Sequence, residues 1–344
     1  MPALTWFSRL ASSPFGEVFG SRSAQRNLAV ATLVAQAGIS VTGSIVRVTG
    51  SGLGCPTWPQ CFPGSMVPVS HPEVALLHQW IEYGNRLLTG VVGITSALCL
   101  LAALLGRPRR PRLVRLAATM PIGVVVQAVV GGITVLTRLS WWTVCLHFLL
   151  SIVLVWLATL LVRAVNEGDE PARPVVPVPL RGLLAVISGV LAALLVAGTL
   201  VTAAGPHAGD ADVPRLDLPI LSLAQLHADL LFLYLGMLVA LGFALRIGGA
   251  TPPRVWRRYR ELLAAVVAQG ALGMVQYWTG VPEVLVPIHV LGSILVTVAT
   301  AALWTATRDR GPHPEAPVPS AQQPTADTSG TVEAHSPASV GTRS

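Results

Sequence analysis

Apolar residues in this chain fall in long, nearly unbroken runs, without the strict alternation of a half-buried strand or the narrow stripe of a soluble surface helix. Eight runs approach the length of about 20 residues that a helix needs to cross a bilayer: 28–48, 80–106, 114–137, 141–162, 181–203, 220–245, 261–280 and 284–306. Backbone groups in hydrocarbon must bond within their own segment, so runs of this length are expected as helices and not as barrel strands. The predicted fold class is all-α, a polytopic membrane protein with eight transmembrane helices.

The polar stretches divide the chain. Residues 1–27 lack an apolar core before the first full run, so they are read as a cytoplasmic N-terminal segment and not as a cleavable signal peptide. Residues 164–180 carry Glu167, Asp169, Glu170 and four prolines and are read as a cytoplasmic linker. Residues 307–344, rich in Pro, Ala, Ser and Thr beyond 311, are expected to be a disordered cytoplasmic tail.

An internal repeat relates what the linker separates. Displaced by 142 positions, Gln127, Gly131 and His147 fall on Gln269, Gly273 and His289, and Asn85 falls on His227. Further upstream, Gly43 and Gly50 match Gly198 and Gly205 at an offset of 155, so the first outer loop carries thirteen extra residues. The halves 28–163 and 181–306 are thus expected to be two four-helix bundles. An even number of spans in each makes the repeat parallel.

Composition changes little: 52% of the 344 residues are hydrophobic and 11% are charged. A net charge of +7 invites a nucleic-acid reading, but the positions of the arginines exclude it. All 23 basic residues are Arg, and nineteen of them lie before the first run, in 107–115, around the linker, in 246–260 or after the last run. By the positive-inside rule both termini are cytoplasmic. The opposite side holds Arg47, Arg138 and Arg215.

This topology puts Asn85, His147, His227 and His289 near the outer starts of alternate helices. An ionisable residue inside a membrane helix is a functional hypothesis by default. Imidazoles on facing helices at equal depth can hold a haem iron from both sides. Gly131, Gly132, Gly270 and Gly273 either make room for a flat macrocycle or serve close helix packing. Zinc fits less well, because no Cys or carboxylate completes a set beside His227 and His289, and Asp229 lies two positions round the helix.

The first half differs from its copy. Glu82 and Arg86 flank Asn85 where the second half has Ala224 and Ala228. They can pair with each other at i, i+4, or Glu82 can do acid/base work while Arg86 meets a haem propionate or holds Glu82. His78 is a surface histidine, a proton relay or a propionate contact, and His207 is read first as part of a loop turn. Cys55 and Cys61, outside the membrane in a Gly/Pro-rich loop, can oxidise as a structural staple or a redox couple. Cys99 and Cys145 lie within spans as small buried side chains.

Taken together, Gly50–Cys61, His78-x3-Glu82-Tyr83-Gly84-Asn85-Arg86, the histidines at 147, 227 and 289, and Gly205–Asp210 resemble the haem A synthase family, in the form found in high-GC Gram-positive bacteria. The resemblance covers all eight runs. It implies an oxidoreductase of the plasma membrane that converts haem O to haem A, oxidising a porphyrin methyl group to a formyl group through hydroxylations and dehydration.

It also implies a haem b cofactor on His227 and His289, a substrate-haem site in the N-terminal half at His147, Asn85 and Arg86, catalysis by Glu82, and an outer cysteine pair, Cys55 and Cys61, that is structural or redox-active. Candidate partners are haem O, membrane lipid, a haem O synthase, a quinone or other electron acceptor, and a second copy of the chain. Asn85 departs from the family pattern, in which many members place a fourth histidine, so His147 is expected to bind the substrate iron alone. Two other classes stay open: an electron-carrying membrane cytochrome b, and a thiol-disulfide oxidoreductase or transporter that carries no haem.

Overall fold

The computed structural model describes residues 12–210, 212–249 and 251–313, and every apolar run of the sequence lies on a helix within them. A short helix α1 (Pro14–Phe19) precedes eight long ones: α2 (Arg22–Val48), α3 (Leu76–Leu105), α4 (Pro111–Leu136), α5 (Trp141–Asn166), α6 (Val178–Ala204), α7 (Ile220–Ile247), α8 (Pro253–Trp278) and α9 (Leu285–Ala306). Among the described residues the only strands are β1 (Arg173–Pro174) and β2 (Arg308–Asp309), paired antiparallel. The chain is a multi-pass, all-helical membrane protein.

Helix ends follow local capping more than the apolar runs. α2 begins at Arg22, ahead of the run at 28, because the Ser21 hydroxyl accepts the Ala24 N–H at 3.3 Å. α4, α6 and α8 carry a proline in their first two positions, where its missing N–H costs no intrahelical bond. Seven of the eight long helices are long and apolar enough to cross a membrane. The remaining one, α8, has Arg254, Arg257, Arg258, Arg260 and Glu261 in its first turns, so its apolar part is the later portion that the sequence marks from 261.

Each half has its own core. In the first, Ala29 of α2, Cys99 and Ala103 of α3, Leu113, Ala117 and Met120 of α4, and Leu154 and Ala158 of α5 pack together. In the second, Leu184 and Ile187 of α6, Tyr234 and Leu238 of α7, Leu262 of α8 and Leu303 of α9 do the same. A third cluster, with Ile152 and Val155 of α5 against Ile294 of α9, joins the two through α2 and α6. Lipid tails are as apolar as these side chains, so close packing and internal hydrogen bonds hold the helices together. One such bond runs between the hydroxyls of Tyr234 and Thr300, 3.0 Å apart.

One expected boundary is corrected at the arginine-rich end. Residues 173–174 of the linker pair with 308–309, and Gly168 donates to the Gly311 carbonyl at 3.2 Å, so the segment expected as a disordered tail from 307 starts as ordered ribbon. Hydrophobicity could not reveal this contact, because it is made by backbone. The rest of that tail, 314–344, and the first eleven residues of the N-terminal segment lie outside the described residues.

The linker is further fixed by Arg110. Its guanidinium is buried and donates to the Ala164, Val165 and Glu167 carbonyls at the end of α5 and to both oxygens of Asp169, at 2.7 and 3.2 Å. One side chain thus satisfies the orphan carbonyls of a helix end. Arg110→Ala is expected to cost about 3 kcal/mol, the lower end of the range for breaking a buried pair because Asp169 is partly exposed. A clearly lower thermal unfolding temperature in detergent checks it.

Candidate functional site

Helices α7 and α9 bring the rings of His227 and His289 close, with centroids 6.5 Å apart and planes inclined by 51°. His227 Nδ1–H donates to the Leu194 carbonyl of α6 at 3.1 Å, which fixes the tautomer and leaves Nε2 with its lone pair. His289 is held differently. Its Nδ1 is buried without a hydrogen-bond partner, while its carbonyl accepts from Gln269 Nε2 of α8 at 2.9 Å.

The same arrangement recurs in the first half. Gln127 Nε2 of α4 donates to the His147 carbonyl at 3.1 Å, and the Nδ1 of His147 is likewise buried without a partner. The matched glutamines therefore serve matched backbone bonds. Asn85 behaves otherwise: its Oδ1 accepts from the Thr42 hydroxyl of α2 at 2.7 Å. Among the described residues no hydrogen bond joins Asn85 to His147.

A glycine on the preceding helix faces each of the four repeated positions. A β-carbon on Gly131, Gly198 or Gly273 would stand 3.1, 3.0 or 3.2 Å from Cε1 of His147, His227 or His289, and one on Gly43 would stand 3.8 Å from Asn85 Nδ2. The glycines give room to imidazoles as well as to backbones. Sequence comparison marks Gly131 and Gly273 for this and aligns Gly43 with Gly198, but not as ring contacts. Gly132 instead faces the Trp58 indole, and Gly270 faces Leu231.

A substitution series tests the glycine contacts. Gly198→Ala is expected to destabilise by roughly 1 kcal/mol, as overpacking does. Gly189→Ala, on the same helix with nothing within 4 Å, is expected to be neutral or to stabilise by up to about 1 kcal/mol through helix propensity. Thermal unfolding of the two variants separates them.

The loop between α2 and α3 is built on α3. Cys55 and Cys61 form a disulfide with Cα atoms 4.3 Å apart, and both are buried beside Phe62. Glu82, itself buried, accepts the Cys55 N–H on Oε2 at 2.6 Å and is paired through Oε1 with Arg86 at 2.5 Å. Arg86 also donates to the carbonyls of Thr57, Gln60 and Cys55 at 3.0, 3.2 and 2.7 Å. The i, i+4 pairing, one of the options for Glu82 and Arg86, is made, and it also acts as a clamp on the disulfide loop.

That clamp lays Trp58 against Gly132 of α4, one residue from the glycine that faces His147. His78 is half-buried, and its backbone carbonyl abuts Gly54 of the loop. Among the described residues no charged side chain pairs with its ring. His71 lies in the loop, stacked on Phe62 with centroids 4.9 Å apart.

The halves are tied at the ends away from the arginine-rich loops by a residue that sequence reading placed only by side. Arg47, at the end of α2, donates to the Thr202 carbonyl at 2.8 Å and to the His207 carbonyl at 2.5 Å. Thr202 is the position equivalent to Arg47 at the offset of 155, so equivalent helix ends meet. His207 completes the tie through Nε2 and the Val281 carbonyl, 3.0 Å apart, which occupies its ring in a loop contact. The Gly52 N–H donates to the Gly209 carbonyl at 2.8 Å beside Leu139. The repeat offset contained the signal for Arg47, since a charged residue there replaces a threonine.

Apolar spans carrying facing histidine rings at one end, with a disulfide-closed loop clamped over one half, define a polytopic membrane protein with intramembrane imidazole sites. The COX15-CtaA family model, described as cytochrome oxidase assembly protein, matches residues 26–214, more than half of the chain, and the chain belongs to that family. It is 29% identical over 133 residues to a "Heme A synthase" of Geobacillus kaustophilus, covering 38% of this chain and 40% of that protein. It is 34% identical over 152 residues to one from Exiguobacterium sibiricum, covering 42% and 48%. A third, from Shewanella oneidensis, is 25% identical over 177 residues, covering 46% and 53%. The chain thus matches about half, or less, of the length of these relatives.

Proposed function

We propose that this protein is a haem A synthase, an oxidoreductase that converts a methyl group of haem O to the formyl group of haem A for a terminal cytochrome oxidase. One observation carries the reading: the second half keeps a facing pair of imidazoles, while the first has Asn85 in place of one ring and adds Glu82 and Arg86. Two equal electron-carrying sites give no reason for that asymmetry. The matched relatives, each named "Heme A synthase", support the same reading.

The residues of the second half fit a haem b held by His227 and His289. Two imidazoles that shared one metal through bonds of about 2.0–2.1 Å would have ring centroids no more than roughly 6–6.5 Å apart, and those of His227 and His289 are 6.5 Å apart. Among the described residues no group of three or more His, Cys, Asp and Glu could hold a metal ion, so a zinc set has less to draw on. Bound there, haem b supplies one-electron transfer. The protein's part is orientation: Leu194 sets the His227 tautomer, and Gly198 and Gly273 set the ring positions.

In the first half His147 is the proposed single ligand of the substrate haem, with Asn85 at the position that corresponds to His227. Arg86 holds Glu82 and the loop, and Glu82 takes up a proton released at the reacting methyl as that carbon gains the oxygen of a water molecule and gives up four electrons and four protons in all to reach the formyl level. The disulfide is proposed as a staple, because both sulfurs are buried in the loop core. Arginines gathered at one end support a plasma-membrane orientation with both termini cytoplasmic. That places haem chemistry in the outer leaflet. A haem O synthase would supply the substrate, and a quinone or other acceptor would take the electrons.

The absorption spectrum of the purified protein tests the class. The expected result is a low-spin bis-imidazole haem signature that responds to reduction. A protein that never carries haem under any expression condition would instead point to thiol-disulfide chemistry at Cys55 and Cys61.

A further inference from the structure

The inner, arginine-rich end of the bundle holds more buried positive charge than its carboxylates can satisfy. Arg112 opens α4, Arg163 lies in the last turn of α5, Arg181 in the first turns of α6, Arg258 in the first turns of α8, and Arg308 and Arg310 follow α9. They converge from five helices that span both halves. Glu167 stands among them, 3.1 Å from Arg112 and 3.5 Å from Arg308, while Asp169 is taken by Arg110. The guanidiniums of Arg112, Arg310 and Arg181 act on Arg308 through space, as Arg258 does on Arg163.

Six donor atoms in this group are buried without a partner, Nη1 of Arg112 and Nε of Arg163, Arg181, Arg258, Arg308 and Arg310, and Nη2 of Arg308 has no hydrogen bond beyond its 3.5 Å ion pair with Glu167. A buried, unsatisfied charged donor is costly, and several remain here although Arg258 also pairs with Glu261 at 2.6 Å, Arg310 donates to the Glu170 carbonyl at 2.9 Å and Arg181 lies over the Trp304 ring. A planar guanidinium fork matches the oxygens of a phosphate, and clustered arginines bind it with charge-assisted bonds. The cluster lies where transmembrane helices end, at the level of lipid headgroups, between helices of the two halves. Basic pockets at such positions take anionic headgroups.

We propose that this cluster binds the phosphate group of an anionic phospholipid, which links the inner ends of the two halves. The site is separate from the histidines, and the proposal does not depend on the haem reading. The lipid phosphate accepts from Arg308 and Arg112 on the side away from Glu167, and Arg163, Arg181, Arg258 and Arg310 supply the surrounding positive field.

The test uses the full chain, purified in neutral detergent and placed in discs of phosphatidylcholine alone or with phosphatidylglycerol. Native mass spectrometry and thermal unfolding are the readouts. The expected result is preferential retention of phosphatidylglycerol and a higher unfolding temperature in its presence. Both should weaken about tenfold in affinity terms for an Arg112→Gln, Arg308→Gln double variant and stay unchanged for Arg260→Gln, an exposed arginine on α8.

Should the double variant not fold, Arg308→Lys decides, since it keeps the charge and removes the fork; it is expected to lower retention. Equal retention of the two lipids would overturn the proposal, as would unchanged retention in the folded double variant or in Arg308→Lys. Stabilisation by inorganic phosphate that matches phosphatidylglycerol, with no preference between discs, would assign the cluster to a soluble phosphate and overturn the lipid assignment.

Discussion

Replacing His227 with alanine is expected to strip haem b from the protein and to lower haem A formation by at least about 100-fold, since even partners behind a metal ligand are worth 10–100-fold. The ring faces His289 at 6.5 Å and is the one with a fixed tautomer, so its loss leaves His289 with no opposing imidazole. His147→Ala is expected to spare haem b and to lose the substrate haem. Haem content per chain, read by pyridine haemochrome assay on both variants, separates the roles. If His227→Ala keeps its haem b and His147→Ala loses it, the assignment of the halves is reversed.

Glu82 gives the second large effect, and two substitutions are needed because its carboxylate serves two ends. Glu82→Ala removes the acceptor of the Cys55 N–H and the partner of Arg86. Breaking a buried pair costs about 3–5 kcal/mol, and the low end applies because Arg86 keeps three loop carbonyls. Thermal stability should fall, and Cys55–Cys61 should be reduced more readily as the loop loosens. Glu82→Gln keeps an oxygen for the Cys55 N–H, so the loop should stay closed while haem A formation falls by roughly 10²–10⁴, the range for loss of a general acid or base. Full activity in Glu82→Gln would make Glu82 a clamp alone.

The helices were legible because hydrocarbon demands long apolar runs with internal backbone bonds. Their ends were less so: Ser21 extends α2, and polar first turns extend α8 back to Pro253. The matched histidines and glutamines stood out through the repeat, and in the structure His227 meets His289, while Gln127 and Gln269 hold equivalent carbonyls.

Contacts to backbone across long stretches of chain were not legible. For Glu82 and Arg86 the sequence offers a local ion pair or acid/base work but not their role as a loop clamp, because their bonds to Cys55, Thr57 and Gln60 follow no helical period. Arg47 reads as an outer-side charge until it meets Thr202 and His207. Trp58 reads as a loop residue until it lies on Gly132. The ordered start of the tail was missed for the same reason, since the ribbon pairs 308–309 with residues of the linker.

The central claim is that unequal halves make one a cofactor site and the other a place of reaction. Its most direct measurement is chromatography of haems extracted from a host that makes haem O but not haem A and expresses this chain. The account predicts haem A, or its hydroxylated precursor, in cells with the parent protein and neither in cells with Glu82→Gln. Haem O alone beside a well-expressed, haem-loaded protein would contradict it and leave a membrane cytochrome b.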